Sequence, residues 1–288
     1  MQKIVITHSD ADGIISAYLI QKALGKSQVL FSGQNNLFKV LDSIKNKKQK
    51  LIILDISPTK EILERVKIFN ETLWIDHHEE QEIQNIPTNI KLIIKQKPST
   101  AEIIAEEFKL NNEKIVKIAN EIDTNNVKLE EAEKLRDYVS YIRDTAKGII
   151  FTPMARELIT KLDNLAFLNN PHTVLKLAAY KLEEKKKADM LKTSEEEIRG
   201  NKIVFTEVAG NLASYEVIKK VRGEYIVIFH KKDNGVKIDF RTTSKKDVLK
   251  LAKLFKGGGH LYAAGAFTKN KKESNIKKRI INFIKKKI

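Results

Sequence analysis

The stretch "KIVITHSDADGII" (residues 3–15) decides the fold of this chain. It opens on an apolar, β-branched run, "KIVIT", which predicts a buried strand. The strand runs straight into His8, Asp10 and Asp12 at alternating positions, with Gly13 directly behind. From Gly13 the apolar spacing turns helical, "GIISAYLIQKAL". Strand, polar turn and helix in that order begin a βαβ unit. The turn itself is either a helix cap with incidental acids or the first part of a cation site.

The same alternation continues. "QVLF", "LIIL", "TLWI" and "KLIIK" read as strands, and "FKVLDSIKN" and "PTKEILERVKIF" as helices between them. This order implies an α/β domain with a parallel sheet and right-handed crossovers. Residues 99–145 read as mostly helical, with Ser99 and Glu102 spaced as a capping box. A further helix is expected over 153–168. The first domain is taken as residues 1–170. Residues 171–199 read as one long charged connecting helix that ends at Gly200. From 200 to 288 the pattern becomes that of a smaller α+β domain. Its expected strands are "KIVFTEV", "YIVIFH" and "VKIDFRTT", its helix "DVLKLAKLF", and "GGGHLYAAGAF" a glycine turn into another strand. The terminal "ESNIKKRIINFIKKK" reads as a solvated amphipathic helix. No internal repeat or low-complexity segment is evident.

Composition narrows the chemistry. The chain has 288 residues, enough for two cores, and 42% apolar residues, as expected of a globular protein. No apolar run approaches the ~18 residues that span a bilayer, and no signal-peptide pattern opens the sequence, so a cytoplasmic protein without membrane contact is expected. Cysteine is absent. Disulfides and thiolate metal sites are therefore excluded, and any metal must be held by His, Asp, Glu and main-chain oxygen, which favours Mg, Mn or Co. The formal net charge of +16 suits a polyanionic partner.

Three expected strands end in polar groups: His8, Asp10 and Asp12 after "KIVIT", Asp55 after "LIIL", and Asp76, His77 and His78 after "LWI". Ligands of open parallel sheets bind beyond the carboxyl ends of the strands. Each residue alone has a structural reading. Asp12 could cap the helix from Gly13, Asp55 could cap a helix after Pro58, and a lone histidine at a strand end is usually solvated. Taken together the reading changes, because three of the six histidines sit at these ends. His172 and His230 read as structural or solvated.

These residues resemble the DHH phosphoesterase superfamily. "HSDADG", "LDIS" and "DHH" follow its order on successive strand ends, "ANEIDTNN" resembles the motif that contributes a further aspartate, and "PSTAEII" a helix start. "FKGGGHLYAAG" resembles the associated DHHA1 domain. The style is nearest to archaeal RecJ-like and oligoribonuclease-like members. Two departures stand out: only Ser9 separates His8 from Asp10, where many bacterial members have three residues, and Lys256 stands where a fourth glycine is common.

The resemblance implies two divalent ions, typically Mn2+, with Mg2+ or Co2+ as alternatives. His8 and Asp10 would hold one, Asp12, His77 and Asp123 the other, with Asp55 bridging. Asp76 would orient a neighbour and His78 would contact the scissile phosphate. In the second domain Arg241, Gly257, Gly258, Gly259 and His260 would bind substrate. The implied activity is metal-dependent phosphodiester hydrolysis of short RNA or DNA to 5′-mononucleotides. The alternatives are cleavage of a cyclic dinucleotide, removal of the 3′ phosphate from 3′-phosphoadenosine-5′-phosphate, a longer-strand RecJ-like exonuclease, and an inactive scaffold. A pyrophosphatase is disfavoured by "GGGH". Protein partners stay unassigned, and a homodimer stays open.

Overall fold

The computed structural model describes residues 2–78, 85–146, 150–208 and 212–287. The chain divides into two units, 1–177 and 178–288.

The first unit is built on five parallel strands, β1 (Lys3–Thr7), β2 (Gln28–Phe31), β3 (Lys50–Leu54), β4 (Glu71–Asp76) and β5 (Ile90–Ile94), in the order β2-β1-β3-β4-β5. The central strands are apolar on both faces because both faces are covered. Val5, Ile52, Leu54 and Ile75 join a core with α1 (Ala11–Leu24), α4 (Thr100–Glu107), α5 (Glu113–Asp123), α6 (Glu130–Thr145) and α7 (Phe151–Lys161). Ile4, Ile6, Ile53 and Trp74 join another with α2 (Leu37–Ser43) and α3 (Lys60–Val66). Strand order reverses between β1 and β3, the switch point at which such sheets open a crevice. Register matters most there. Thr7 pairs with Leu54, and Leu54 with Ile75. The residues that follow, His8, Asp55 and Asp76, therefore leave the sheet side by side at its carboxyl edge.

The helix expected over 153–168 is shorter. It ends at Lys161, and a 3₁₀ turn over Leu165–Asn169 follows, capped by the side chain of Asn164.

The connecting helix expected over 171–199 is also corrected. The helix, α8 (Pro171–Asp189), stops ten residues early, and Lys192–Ile198 is a strand, β6. It pairs antiparallel with β7 (Asn201–Val208) through Arg199 and Gly200, both at positive φ (52° and 70°). Two left-handed residues in a two-residue loop match the twist of a hairpin. Gly200 is thus a hairpin residue and not a helix stop. β6 is an edge strand, almost wholly exposed, and its Glu195-Glu196-Glu197 run is the charge that edge strands carry in water.

The second unit is a six-stranded mixed sheet in the order β10-β11-β9-β8-β7-β6, with β8 (Tyr225–Lys232), β9 (Gly235–Arg241), β10 (Gly258–His260) and β11 (Ala263–Thr268). Only the β7–β8 pair is parallel, and α9 (Ser214–Lys220) connects it. One face packs Phe205, Phe229, Ile238 and Phe240 under α10 (Leu249–Lys253) and α11 (Glu273–Lys287). The other face packs Val204, Ile226 and Ile228 under Val217. Among the described residues no helix is long and apolar enough to cross a membrane.

Candidate metal centre

The turn after β1 is made by small residues and tight bonds. A Cβ on Gly13 would stand 2.3 Å from the His8 carbonyl oxygen, so only glycine lets the chain turn there. Thr7 Oγ1 donates to the Gly13 carbonyl at 2.7 Å. Asp10, not Asp12, caps α1: its Oδ1 accepts from Gly13 N at 3.0 Å. Its other oxygen lies 2.5 Å from His8 Nδ1. Asp12 caps a different helix. It is buried, and its carboxylate accepts from Thr100 N (2.8 Å) and Ala101 N (3.0 Å), the first amides of α4. A helix N-terminus favours an anion there. Asp55 does not cap α3, whose cap is Thr59. It sits at φ 56°, a left-handed value that costs a non-glycine residue on the order of 1 kcal/mol. That conformation turns its side chain beside those of β1 and β4.

The carboxylates converge. His77 is buried, and its Nδ1 lies 3.0 Å from the Lys97 carbonyl. A carbonyl only accepts, so Nδ1 donates to it and the ring is turned with Nε2 toward the acids. That atom faces Asp55 Oδ1 and Asp123 Oδ2 at 3.5 Å and Asp12 Oδ2 at 3.7 Å. An imidazole nitrogen ringed by three buried carboxylates calls for positive charge at that point, as a proton on the ring or a cation between the groups. His8, Asp10 and Asp55 form a second group, with donor atoms within 4.8 Å of one another, as do Asp12, Asp55 and His77. This is close to the roughly 3–4.4 Å spread of donors around one small divalent ion. Asp55 belongs to both groups, and its buried Oδ2 has no hydrogen-bond partner.

Electrostatics point the same way. Burial, then the charges of Asp10, Asp12, Asp123 and Asp76, push the Asp55 carboxyl well above its usual range. Burial and then Asp12 and Asp10 do the same to Asp123. Burial raises Asp12 as well, against the opposing pull of His77. Buried carboxylates at this density need protons or cations to coexist. A donor set of carboxylates and imidazoles without thiolate suits a divalent cation, so the cluster could hold one.

His78 is placed differently. Its Nδ1 lies 2.7 Å from Asp76 Oδ1. Burial lowers its pKa, but Asp76 and then Asp123 and Asp10 outweigh that and raise it to about 9. Asp76, although buried, is held below its usual range by the His78 charge and hydrogen bond. Asp76 thus favours the charged form of His78 and engages its Nδ1.

The structure brings together His8, Asp10, Asp12, Asp55, Asp76, His77, His78 and Asp123, all in the first unit. Arg241, Gly257, Gly258, Gly259 and His260 lie in the second. There Arg241 ends β9 and donates to the Phe240 and Ala264 carbonyls at 2.8 and 3.0 Å. The "GGGH" segment is strand rather than turn from Gly258 onward. Gly259 has φ 127°, and a Cβ on Gly257 would stand 2.2 Å from the Gly265 carbonyl oxygen. Lys256, in place of a fourth glycine, takes φ 57° after α10. His230 is structural: it is buried, and its Nε2 lies 2.9 Å from Asp239, which also accepts from Ser214 Oγ at 2.7 Å.

The groups missed from the sequence are backbone ones, the Thr100 and Ala101 amides and the Lys97 carbonyl. Their signal was the capping box. Ser99 Oγ accepts from Glu102 N at 3.1 Å. The Glu102 carboxylate turns instead to Asn120 Nδ2 at 2.5 Å and Lys97 at 3.2 Å.

Known protein families match both units of the chain. Residues 2–133 match the DHH family, N-terminal domain, and residues 198–286 match the DHHA1 domain. No curated protein matches in sequence. Among solved structures the chain is similar to the DHH domain of a member of a family of ribosomal proteins (TM-score 0.70, 14% identity, covering 99% of this chain and 87% of that one). It is also similar to the pGpG-specific phosphodiesterase PggH of Vibrio cholerae (TM-score 0.59, 14% identity, 99% of each chain). A third is RecJ of Thermus thermophilus in complex with Mn2+ (TM-score 0.56, 14% identity, 98% of this chain and 52% of that one).

Proposed function

The chain belongs to the DHH family of phosphoesterases, metal-dependent hydrolases, and from that premise we propose that it hydrolyses short single-stranded RNA or DNA to 5′-mononucleotides with two divalent ions, most readily Mn2+. The observation that carries the reading is the convergence of Asp12, Asp55 and Asp123 on His77 Nε2, with His8 and Asp10 sharing Asp55 from the other side. In this reading His8 and Asp10 would hold one ion and Asp12, His77 and Asp123 the other, with Asp55 contributing to both. Bound there, the ions supply a water acidified toward neutrality and positive charge for the phosphoryl oxygens.

The chain's own residues do the rest. The α4 amides fix Asp12, and the Lys97 carbonyl fixes the His77 tautomer, so that neither ligand must reorganise. His78, whose charged form Asp76 favours, would contact the scissile phosphate, where negative charge grows during in-line attack. Arg241 can pair with a distal phosphate, and the amides of Gly257, Gly258 and Gly259 with His260 can receive a terminal group. The high positive charge favours approach of an oligonucleotide.

The test is a product time course on labelled RNA and DNA, from dinucleotides to about two dozen nucleotides, with Mn2+ and with chelator. Short oligomers should yield 5′-mononucleotides faster than long ones, and only with metal. Hydrolysis in chelator, or cleavage confined to cyclic dinucleotides or to the longest strands, would overturn the proposal.

A further inference from the structure

The terminal helix α11 has an internal face that is fully used. Ile276, Ile280 and Ile284, at successive four-residue steps, are 1%, 0% and 0% exposed within the core of the second unit. Its outward face carries Ser274, Asn275, Lys278, Arg279, Asn282, Lys285 and Lys286, all exposed. The one acid of the helix, Glu273, sits at its start and pairs with Lys231 at 3.2 Å.

Several other helices offset part of their positive charge. In them some lysines have a glutamate one turn away: Lys134 with Glu130, Lys161 with Glu157, Lys186 with Glu183, Lys219 with Glu216. Such pairs neutralise an exposed face. On α11 the residues one turn before Lys278 are Ser274 and Asn275, and before Lys285 and Lys286 they are Ile281, Asn282 and Phe283. Among the described residues none of these three lysines has an ionic partner. Two neighbouring cations are engaged in the fold instead. Arg279 donates to the Leu254 carbonyl at 2.7 Å and lies 5.0 Å over Phe255, while Lys277 donates to Ser194 and lies 5.3 Å over Phe205.

We propose that the outward face of α11 binds single-stranded nucleic acid through its phosphates, with Lys278, Lys285 and Lys286 as the contacts. Lys278 lies about 10–12 Å along the helix from the other two, so the charges form a row. Ammonium groups on flexible stems suit contacts that do not depend on base identity. A lipid surface is disfavoured, because a helix that lies in a membrane needs its apolar face available, and here that face is in the core. The inference rests on the phosphoesterase reading only for the class of substrate. It adds a holding site used by longer strands and not by dinucleotides.

The experiment follows binding of a labelled twelve-residue oligouridylate to the full chain by fluorescence anisotropy, in chelator, across salt concentrations. The variants are Lys278→Ala/Lys285→Ala/Lys286→Ala and, as a control of equal charge change, Lys134→Ala/Lys161→Ala/Lys219→Ala. Each phosphate contact on a single strand contributes about 0.7 to the slope of log affinity against log salt, so three contacts contribute about 2. Between 50 and 200 mM salt the parent should then lose about 20-fold more affinity than the α11 variant. The control should keep the parent's slope, and dinucleotide hydrolysis with Mn2+ should be unchanged in the α11 variant. An unchanged slope, equal flattening in the control, or parent binding to phosphatidylserine vesicles in preference to RNA would overturn the proposal. If the parent hydrolyses no oligonucleotide, the phosphoesterase substrate reading fails, and the slope comparison still decides α11.

Discussion

Asp55→Asn is expected to abolish hydrolysis and, in the absence of metal, to make the protein more stable. Asn keeps the shape and tolerates the left-handed backbone at φ 56°. It removes a buried carboxyl whose ionisation burial and Asp10, Asp12, Asp123 and Asp76 oppose, and whose Oδ2 has no hydrogen-bond partner. An unsatisfied buried polar group costs about 1–3 kcal/mol, and a charged one more. Taking about 2 kcal/mol, a unit of this size should gain about 4–8 °C in melting temperature. The pH dependence has a definite sign. With its pKa raised, folded Asp55 holds a proton that the unfolded chain releases near pH 4. The associated stability is complete below that pH and is lost as pH rises toward the raised value. The difference between variant and parent should therefore grow from mild acid to neutrality. Thermal unfolding followed by circular dichroism, in chelator and in Mn2+, measures both effects. In Mn2+ the order should reverse, because the parent gains from binding and the variant much less. A variant that is destabilised in chelator and keeps the parent's gain in Mn2+ would refute the reasoning.

His77→Ala should lose an ion and recover part of its activity at high Mn2+, while His78→Ala should keep its metal and lose about 10²-fold in kcat; titration calorimetry beside steady-state kinetics separates the two, and the opposite pattern would exchange their roles. Ser99→Ala removes the α4 cap, at a cost of about 1 kcal/mol, and loosens the amides that hold Asp12, so Mn2+ affinity should fall by about tenfold or more; intact affinity would show that α4 does not position the ligand. Arg241→Ala and His260→Ala should raise KM for a dinucleotide while leaving Mn2+ binding intact, and parental kinetics in both would remove the second unit from substrate binding.

Much of this site was legible because the features that carry it are local. "KIVIT" followed by His-x-Asp-x-Asp, with Asp55 and Asp76 after their own apolar runs, gave the strands and placed the acids at one edge. The in-register ends of β1, β3 and β4 are what make that edge a cluster. What the sequence hid was long-range. Which helix Asp12 caps depends on α4 packing against α1 across 88 residues of chain. The proton position of His77 depends on a main-chain carbonyl 20 residues away. The connector departs from its expected helix for a different reason: "KTSEEEI" is charged enough to look helical, and its strand form is set by the Arg199-Gly200 hairpin and pairing with β7. Lys256 shows the limit of motif spacing, since it takes the left-handed conformation that a glycine would have explained.

Calorimetric titration of Mn2+ into the chelator-stripped full chain at neutral pH tests the central claim most directly. Two ions should bind per chain with release of protons from the raised carboxyls of Asp12, Asp55 and Asp123. An absence of saturable binding, or binding without proton release, would contradict a cation-demanding cluster at the carboxyl edge of the sheet.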